Sequence, residues 1–226
     1  MNSTALEQLS PENSVLLMID LQPQMAFGVA NMDRQELKNN AVALAKASKV
    51  FNVPTFITSV ETESFSGYTF PELLSVYPDC TVYERTSMNS WDSKKLRDDI
   101  KKTGRKKLIL AGLWTEVCIN TCANSAMSDG FEVYVVADVC GATSQMAQDF
   151  SMQRMIQAGA RPLTWQQLLL EWQRDWARRD TYDAVMDIVR LHSGGYGMGV
   201  DYAYTMVHKQ EQRGQWKGRI MKAPTE

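Results

Sequence analysis

Residues 107–138, KLILAGLWTEVCINTCANSAMSDGFEVYVVAD, read as a strand, a helix and a second strand. KLILAG (107–112) and EVYVVAD (132–138) are strongly apolar, the pattern of strands covered on both faces. Between them, CINTCANSAMSDG is a helix that Gly130 closes. Strand, crossover helix and strand form the repeating unit of a parallel sheet.

The alternation continues in both directions. VLLMID (15–20) is an apolar run bounded by PENS and QPQ, which puts Asp20 at the carboxyl end of a buried strand. DRQELKNNAVALAKASKVF (33–51) has helical spacing, with Leu37, Val42, Leu44, Ala45 and Val50 on its apolar face. PTFITS (54–59) is another strand. Residues 60–80 are turn-rich around Gly67 and Pro71, with a short helix near PELLSV, and TVYER (81–85) is a weaker strand ending in Arg85. WDSKKLRDDIKKTG holds a helix between Asp92, a candidate N-cap, and Gly104. A helix at 145–158 and the strand ARPLT (160–164) complete the series. The expected fold is a three-layer α/β/α domain over residues 1–192 with a mostly parallel, Rossmann-like sheet. Ligands of such sheets bind beyond the carboxyl ends of the strands, where Asp20, Arg85, the 112–118 turn and Asp138 fall.

From residue 165 the pattern changes. WQQLLLEWQRDW spaces Trp165, Trp172 and Trp176 by seven and four, a packed or subunit-contacting helix face, and 181–192 continues as helix. SGGYGMG (193–199) breaks it, and 193–226 is expected as a tail that contacts a neighbouring subunit or is partly disordered.

Composition excludes several classes of function. Lysine plus arginine (24) nearly balance aspartate plus glutamate (26), so no strong field favours nucleic acid or an anionic membrane. The basic run KKTGRKK (101–107) reads as a solvated turn. The N-terminal segment lacks the blocks of a signal peptide and no stretch is long enough to span a membrane, so a cytoplasmic location is expected. The four cysteines, Cys80, Cys118, Cys122 and Cys140, do not form a disulfide framework. Both histidines, His192 and His208, lie outside the inferred sheet and no C-x-x-C pair exists, which argues against zinc. No strand is followed by a phosphate-binding glycine fingerprint. The expectation is no cofactor and a small-molecule substrate.

Cys118 opens a helix just after a strand. Backbone N–H groups and the helix dipole favour a thiolate there, so a lowered pKa is expected, and the same groups suit an oxyanion. The plain alternative is a small packed residue. Asp20 must be solvated, capped or paired with a cation, and Arg85 at another strand end supplies one. Together they form a coherent set, in which a carboxylate takes the thiol proton and a cation holds the carboxylate or the substrate.

LLMIDLQ, ERTSMNSWD, LILAGLWTEVCI and EVYVVADVCGATS resemble the successive motifs of the isochorismatase-like hydrolases, in particular their YcaC-like branch, from about residue 13 to 180. The resemblance implies a six-stranded parallel sheet, a homo-oligomer and an Asp–Lys–Cys triad, with Asp20 as acid/base and Cys118 as nucleophile. Arg85 stands at the lysine position, where it can stabilise charge but cannot shuttle a proton. A cis peptide at Leu113–Trp114 is also implied, aiming the Trp114 N–H with that of Cys118 at an oxyanion. Clusters of the D-x-H type that bind metal in some members have no match here. Phe27, Phe65, Trp91 and Trp114 are candidate pocket-lining residues. Cys122 reads as core or as a resolving thiol, Cys140 as packing, and Cys80 as part of the variable loop. The function expected is hydrolysis of an amide or carbamoyl C–N bond through a Cys118 thioester. Its rivals are a thiol-based redox or electrophile-scavenging protein and a catalytically silent oligomeric binding protein.

Overall fold

Every residue of β1 (Ser14–Ile19) and β4 (Lys107–Leu113) is buried, the apolar runs that follow Ser14 and Lys107 together with those two residues themselves, and the strands pair in parallel at the centre of a six-stranded sheet. The protein is described by a computed structural model over residues 7–208. From β1 the sheet extends through β2 (Thr55–Val60) to β3 (Val82–Arg85), and from β4 through β5 (Glu132–Gly141) to β6 (Arg161–Leu163), all parallel. The strand order is therefore β3-β2-β1-β4-β5-β6. It reverses between β1 and β4, and a crevice opens at the carboxyl ends of such a pair.

Among the described residues, these strands are connected and covered by α1 (Pro23–Phe27), α2 (Arg34–Val50), α3 (Pro71–Leu74), α4 (Lys94–Lys102), α5 (Asn120–Ser128), α6 (Gln145–Gln157) and α7 (Trp165–Gln173). Their starts are set locally. The Asp33 carboxylate accepts the Gln35 and Glu36 N–H groups at 2.9 Å, and Ser93, Ser144 and Thr164 cap α4, α6 and α7 in the same way. Alternation along the strands then divides the core in two. Val15, Leu17, Ile19, Leu108, Leu110, Val133 and Val135 pack with Leu96 and Ile100 of α4, Cys122, Ala123 and Ala126 of α5, and Met155 of α6. Residues of the opposite parity lie on the other face, where α2 and α7 pack on β5 and on each other. Each large aliphatic side chain removed from water in these layers contributes roughly 1.5–3 kcal/mol.

Local details differ from the sequence expectations. Asp92 lies in a 3₁₀ turn (Ser90–Asp92) capped by Asn89, so Ser93 rather than Asp92 caps α4. Trp165 and Trp172 are buried, but α7 stops at Gln173 because Arg174 adopts a positive φ of 64°. Trp176 therefore falls outside the helix, exposed, with its ring 5.7 Å from that of Tyr182. The α/β unit ends at Val185, inside α8 (Arg179–His192), and a second small unit starts at Met186, earlier than the expected boundary after His192. In that second unit the break is confined to the neighbourhood of Gly194, and α9 (Gly195–Tyr202) and a π-helical turn (Ala203–Val207) follow where a tail was expected. Arg190 of α8 pairs with Asp201 of α9. Residues 209–226 of the expected tail lie outside the described residues. Among the described residues no helix is long and apolar enough to cross a membrane.

Gly112 fixes the crevice. Its φ is +140°, and a Cβ there would lie 1.8 Å from the Ile19 carbonyl oxygen, so only glycine lets β4 run this close to the end of β1. Gly112→Ala is expected to cost about 3 kcal/mol or more, read from denaturant unfolding; a loss below about 1 kcal/mol refutes this account of the crossing.

Candidate active site

Asp20 follows the last residue of β1 with φ 53°, while its backbone N–H still donates to the Thr58 carbonyl at 3.1 Å. That left-handed step turns a fully buried carboxylate into the space beyond the strands. Oδ1 accepts the Thr58 hydroxyl at 2.8 Å and Arg85 Nη1 at 2.6 Å; Oδ2 accepts Arg85 Nη2 at 2.6 Å. Arg85 ends β3, two strands away, and reaches across β2, donating also to the Ser59 carbonyl at 3.2 Å. The planar fork of arginine meets the two carboxylate oxygens with two parallel N–H bonds from separate nitrogens, a geometry the single nitrogen of an ammonium lacks. Burial works against the Arg85 charge, but the Asp20 contacts outweigh it and raise the guanidinium pKa above its ordinary value.

Beyond Leu113 the peptide to Trp114 is cis, and residues Thr115–Ile119 form a π-helical turn before α5. The Trp114 carbonyl accepts both the Val117 and Ile119 N–H groups, at 3.1 and 3.3 Å. Trp114's indole N–H is tied to the Met25 carbonyl at 2.8 Å and its ring lies over Gly28, so α1 holds the ring while the backbone stays with the turn. Cys118 sits in this turn, 1% exposed. Its pKa corrects the sequence expectation. Burial first, and then the negative charge of neighbouring Asp20, push the thiol up to about 12, against opposing pulls from Arg85 and the Trp114 backbone N–H. At rest Cys118 is a neutral thiol beside a carboxylate.

Asp20, Arg85 and Cys118 thus come together at the strand-order reversal. Thr58 and Ser59 join them, a pair that sequence reasoning missed: both lie in the last half of PTFITS, and only the pairing of that strand with β1 brings them to Asp20 and Arg85. Phe27 and Phe65 follow β1 and β2 in the chain and are largely exposed, as are Tyr68 and Met88. Met88 touches the group directly, its carbonyl accepting from Arg85 Nη2 at 3.4 Å. Trp91 is elsewhere. It is 3% exposed, packed edge-on against Phe131 at 5.3 Å, with its indole N–H donated to Asp129, so it is a core residue and not a wall of the crevice. Its place in the N-S-W-D segment serves the turn before α4.

The remaining candidates are structural. All four cysteines are free; Cys122 and Cys140 are wholly buried, with thiols pushed up to about 12 by burial, and Cys80 is half-buried. Asp138 is not a strand end, because β5 continues to Gly141; its Oδ1 accepts the Trp165 N–H at 2.9 Å, which ties β5 to the start of α7. Among the described residues no group of three or more His, Cys, Asp or Glu side chains is placed to hold a metal ion.

The family model of the isochorismatase domain matches residues 14–167. The chain belongs to the isochorismatase family. It is a hydrolase of that family similar to YcaC. The probable hydrolase YcaC of Escherichia coli (strain K12) is 35% identical over 170 residues, 75% of this chain and 82% of that protein. The solved E. coli YcaC, an octameric hydrolase of unknown specificity, superposes with a TM-score of 0.84 at 31% identity, covering 88% of this chain and 97% of that one. YcaC from Pseudomonas aeruginosa, solved with hexane-2,5-diol and covalent acrylamide, gives 0.83 at 31% identity over 86% and 96%.

Asp138 gives the junction of β5 and α7 a pH signature. Burial raises its carboxyl from the ordinary 3.8 to about 6. Between those values the folded chain binds more protons than the unfolded one, so stability falls as pH rises from about 4 to about 6 and levels off above. Asp138→Asn keeps the acceptor for Trp165 and is expected to flatten that slope in unfolding curves taken from pH 4 to 7; an unchanged slope refutes the assignment.

Proposed function

We propose that the protein is a cysteine hydrolase that cleaves the C–N bond of a small amide or carbamoyl compound through a thioester on Cys118. The observation that carries this reading is the wholly buried Asp20 carboxylate, held by two Arg85 N–H donors at 2.6 Å and set beside the Cys118 thiol.

A thiol with a pKa near 12 is not a standing nucleophile at neutral pH, so it must lose its proton as it attacks. Asp20 accepts that proton while sulfur adds to the carbonyl carbon. The oxygen that becomes negative is held by the backbone N–H groups of Trp114 and Cys118. When the C–N bond breaks, Asp20 returns its proton to the departing amine nitrogen. Water then adds to the thioester with Asp20 again as base, and collapse releases the acid and restores the thiol. Arg85 stays charged throughout; it orients Asp20 and stabilises its anionic form. The aromatic rim of Phe27 and Phe65 contacts the body of the substrate. The octameric state of the E. coli relative supports a homo-oligomer here.

The redox alternative needs a partner thiol for Cys118. Cys122 is free and wholly buried within the core cluster, which leaves it no solvent-facing surface for an external oxidant or thiol. Covalent acrylamide in the P. aeruginosa relative supports an accessible electrophile-reactive group in this branch of the family.

Two measurements test the proposal. Mass spectrometry after exposure to acrylamide is expected to place a single adduct on Cys118 and none on Cys118→Ala, with the variant's circular dichroism unchanged. A screen of small amides and carbamoyl compounds, read by ammonia release, is expected to find a substrate that the wild type turns over and Cys118→Ala does not. Turnover retained in that variant would falsify the reading.

A further inference from the structure

Gln22 is wholly buried two residues after Asp20. Its Oε1 accepts the Val60 N–H at 3.0 Å, and its Nε2 donates to the Val60 carbonyl at 3.0 Å and to the Gly67 carbonyl. Val60 is the last residue of β2 and pairs with Arg85 in the ladder to β3. The β1–β2 register ends at Ile19 and Thr58, so at Val60 the main chain of β1 no longer lies alongside. The Gln22 side chain takes its place, accepting from and donating to one residue as a neighbouring peptide group would. The next segment is held at its far end as well, by the Phe70 N–H on the Leu21 carbonyl at 2.9 Å, and at its near end by the Glu61 N–H on the Arg85 carbonyl at 3.1 Å. Between these ties lie Phe65 and Tyr68, both largely exposed.

A side-chain amide is the one neutral group that offers both an acceptor and two donors at the end of a flexible arm. An ionised glutamate would turn an acceptor-only group toward two carbonyl oxygens. Alanine would leave the Val60 N–H and two carbonyls without their partner. Phe65 and Tyr68 are exposed rather than packed in a core, Tyr68 with its hydroxyl donated to the Glu63 carboxylate, and exposed aromatic faces stack on a planar apolar body.

We propose that Gln22 is a positioning residue: its amide, acting as a stand-in peptide group, fixes the Glu61–Phe70 segment so that Phe65 and Tyr68 form an aromatic wall for substrate amides with a planar apolar body. This rests on the reading of Asp20, Arg85 and Cys118 as the reactive group.

The test compares labelling of Cys118 by acrylamide and by N-phenylacrylamide in the wild type, Gln22→Ala and Gln22→Glu, alongside hydrogen exchange of peptides spanning residues 59–70. In Gln22→Ala, exchange there is expected to quicken by about tenfold. Labelling by N-phenylacrylamide is expected to slow by about tenfold and by acrylamide by less than about threefold, because only the larger probe uses the wall. A general structural lesion would slow both probes alike, and that result overturns the proposal, as does unchanged exchange. Gln22→Glu regains a donor when its carboxyl is protonated. Its N-phenylacrylamide rate relative to wild type is expected to recover toward one as pH is lowered to about 5. A ratio that stays flat overturns the proposal, and this arm decides the matter if Gln22→Ala does not fold. If neither probe labels wild-type Cys118, the reading of the reactive group fails, and exchange alone decides whether Gln22 clamps the segment.

Discussion

A carboxylate buried at the end of the central strand is the constraint around which the crevice is arranged. Removing an ion of this size from water costs several kcal/mol even after relaxation, and only good geometry offsets it. Asp20 obtains that geometry from Arg85 on both oxygens and from the Thr58 hydroxyl on one. The offset depends on register. β2 must bring Thr58 level with Ile19, and β3 must bring Arg85 level with Val60, for the guanidinium to reach over. The short, half-exposed β3 adds little to the core; its contribution is to deliver one arginine to a fixed height at the sheet's edge.

The same carboxylate governs the thiol. A cysteine near the start of a helix invites the inference that its pKa falls, because the N–H groups and dipole of the helix favour an anion. That inference counts donors within one segment. The opposing contributions come from elsewhere in the chain: the packing that leaves Cys118 1% exposed, and a negative charge carried on β1. Neither can be seen in the residues 112–122, so local reasoning gives the shift the wrong sign. Trp91 teaches the same lesson. Its neighbours in sequence lead toward Arg85, but its ring packs on Phe131 in the core and its indole N–H reaches out to Asp129.

Features that depend on local chemistry were legible in the sequence. The six strands fall within a few residues of their expected ends, since a strand buried on both faces has to be apolar and a turn has to be polar or glycine-rich. Asp20, Arg85 and Cys118 were found because parallel sheets gather strand ends on one side. What stayed hidden was set by pairing across the fold. Thr58 and Ser59 matter only once β2 lies beside β1, and the end of β5 moved from Asp138 to Gly141 because Gly112 and Leu113 of β4 pair with Cys140 and Gly141 there. Gln22 looked like a turn residue, and its long-range amide contacts have no local signature.

An arginine in the third position limits the traffic of protons in the proposed reaction. Lysine can give up its proton and recover it; arginine stays charged at any pH the fold survives. With Arg85 outside the exchange, the proposed reaction moves one proton between Cys118 and Asp20. In that reading it starts on sulfur, because burial and the neighbouring Asp20 charge raise the thiol to about 12. It moves to Asp20 only when the attack on carbon gives the sulfur's electrons somewhere to go. The proton that the departing amine needs is then already in place, on the group nearest the breaking bond. In that reading Arg85 has a positioning part: its two N–H donors hold both Asp20 oxygens beside Cys118, so the thiolate forms as attack begins rather than waiting exposed to other reactants.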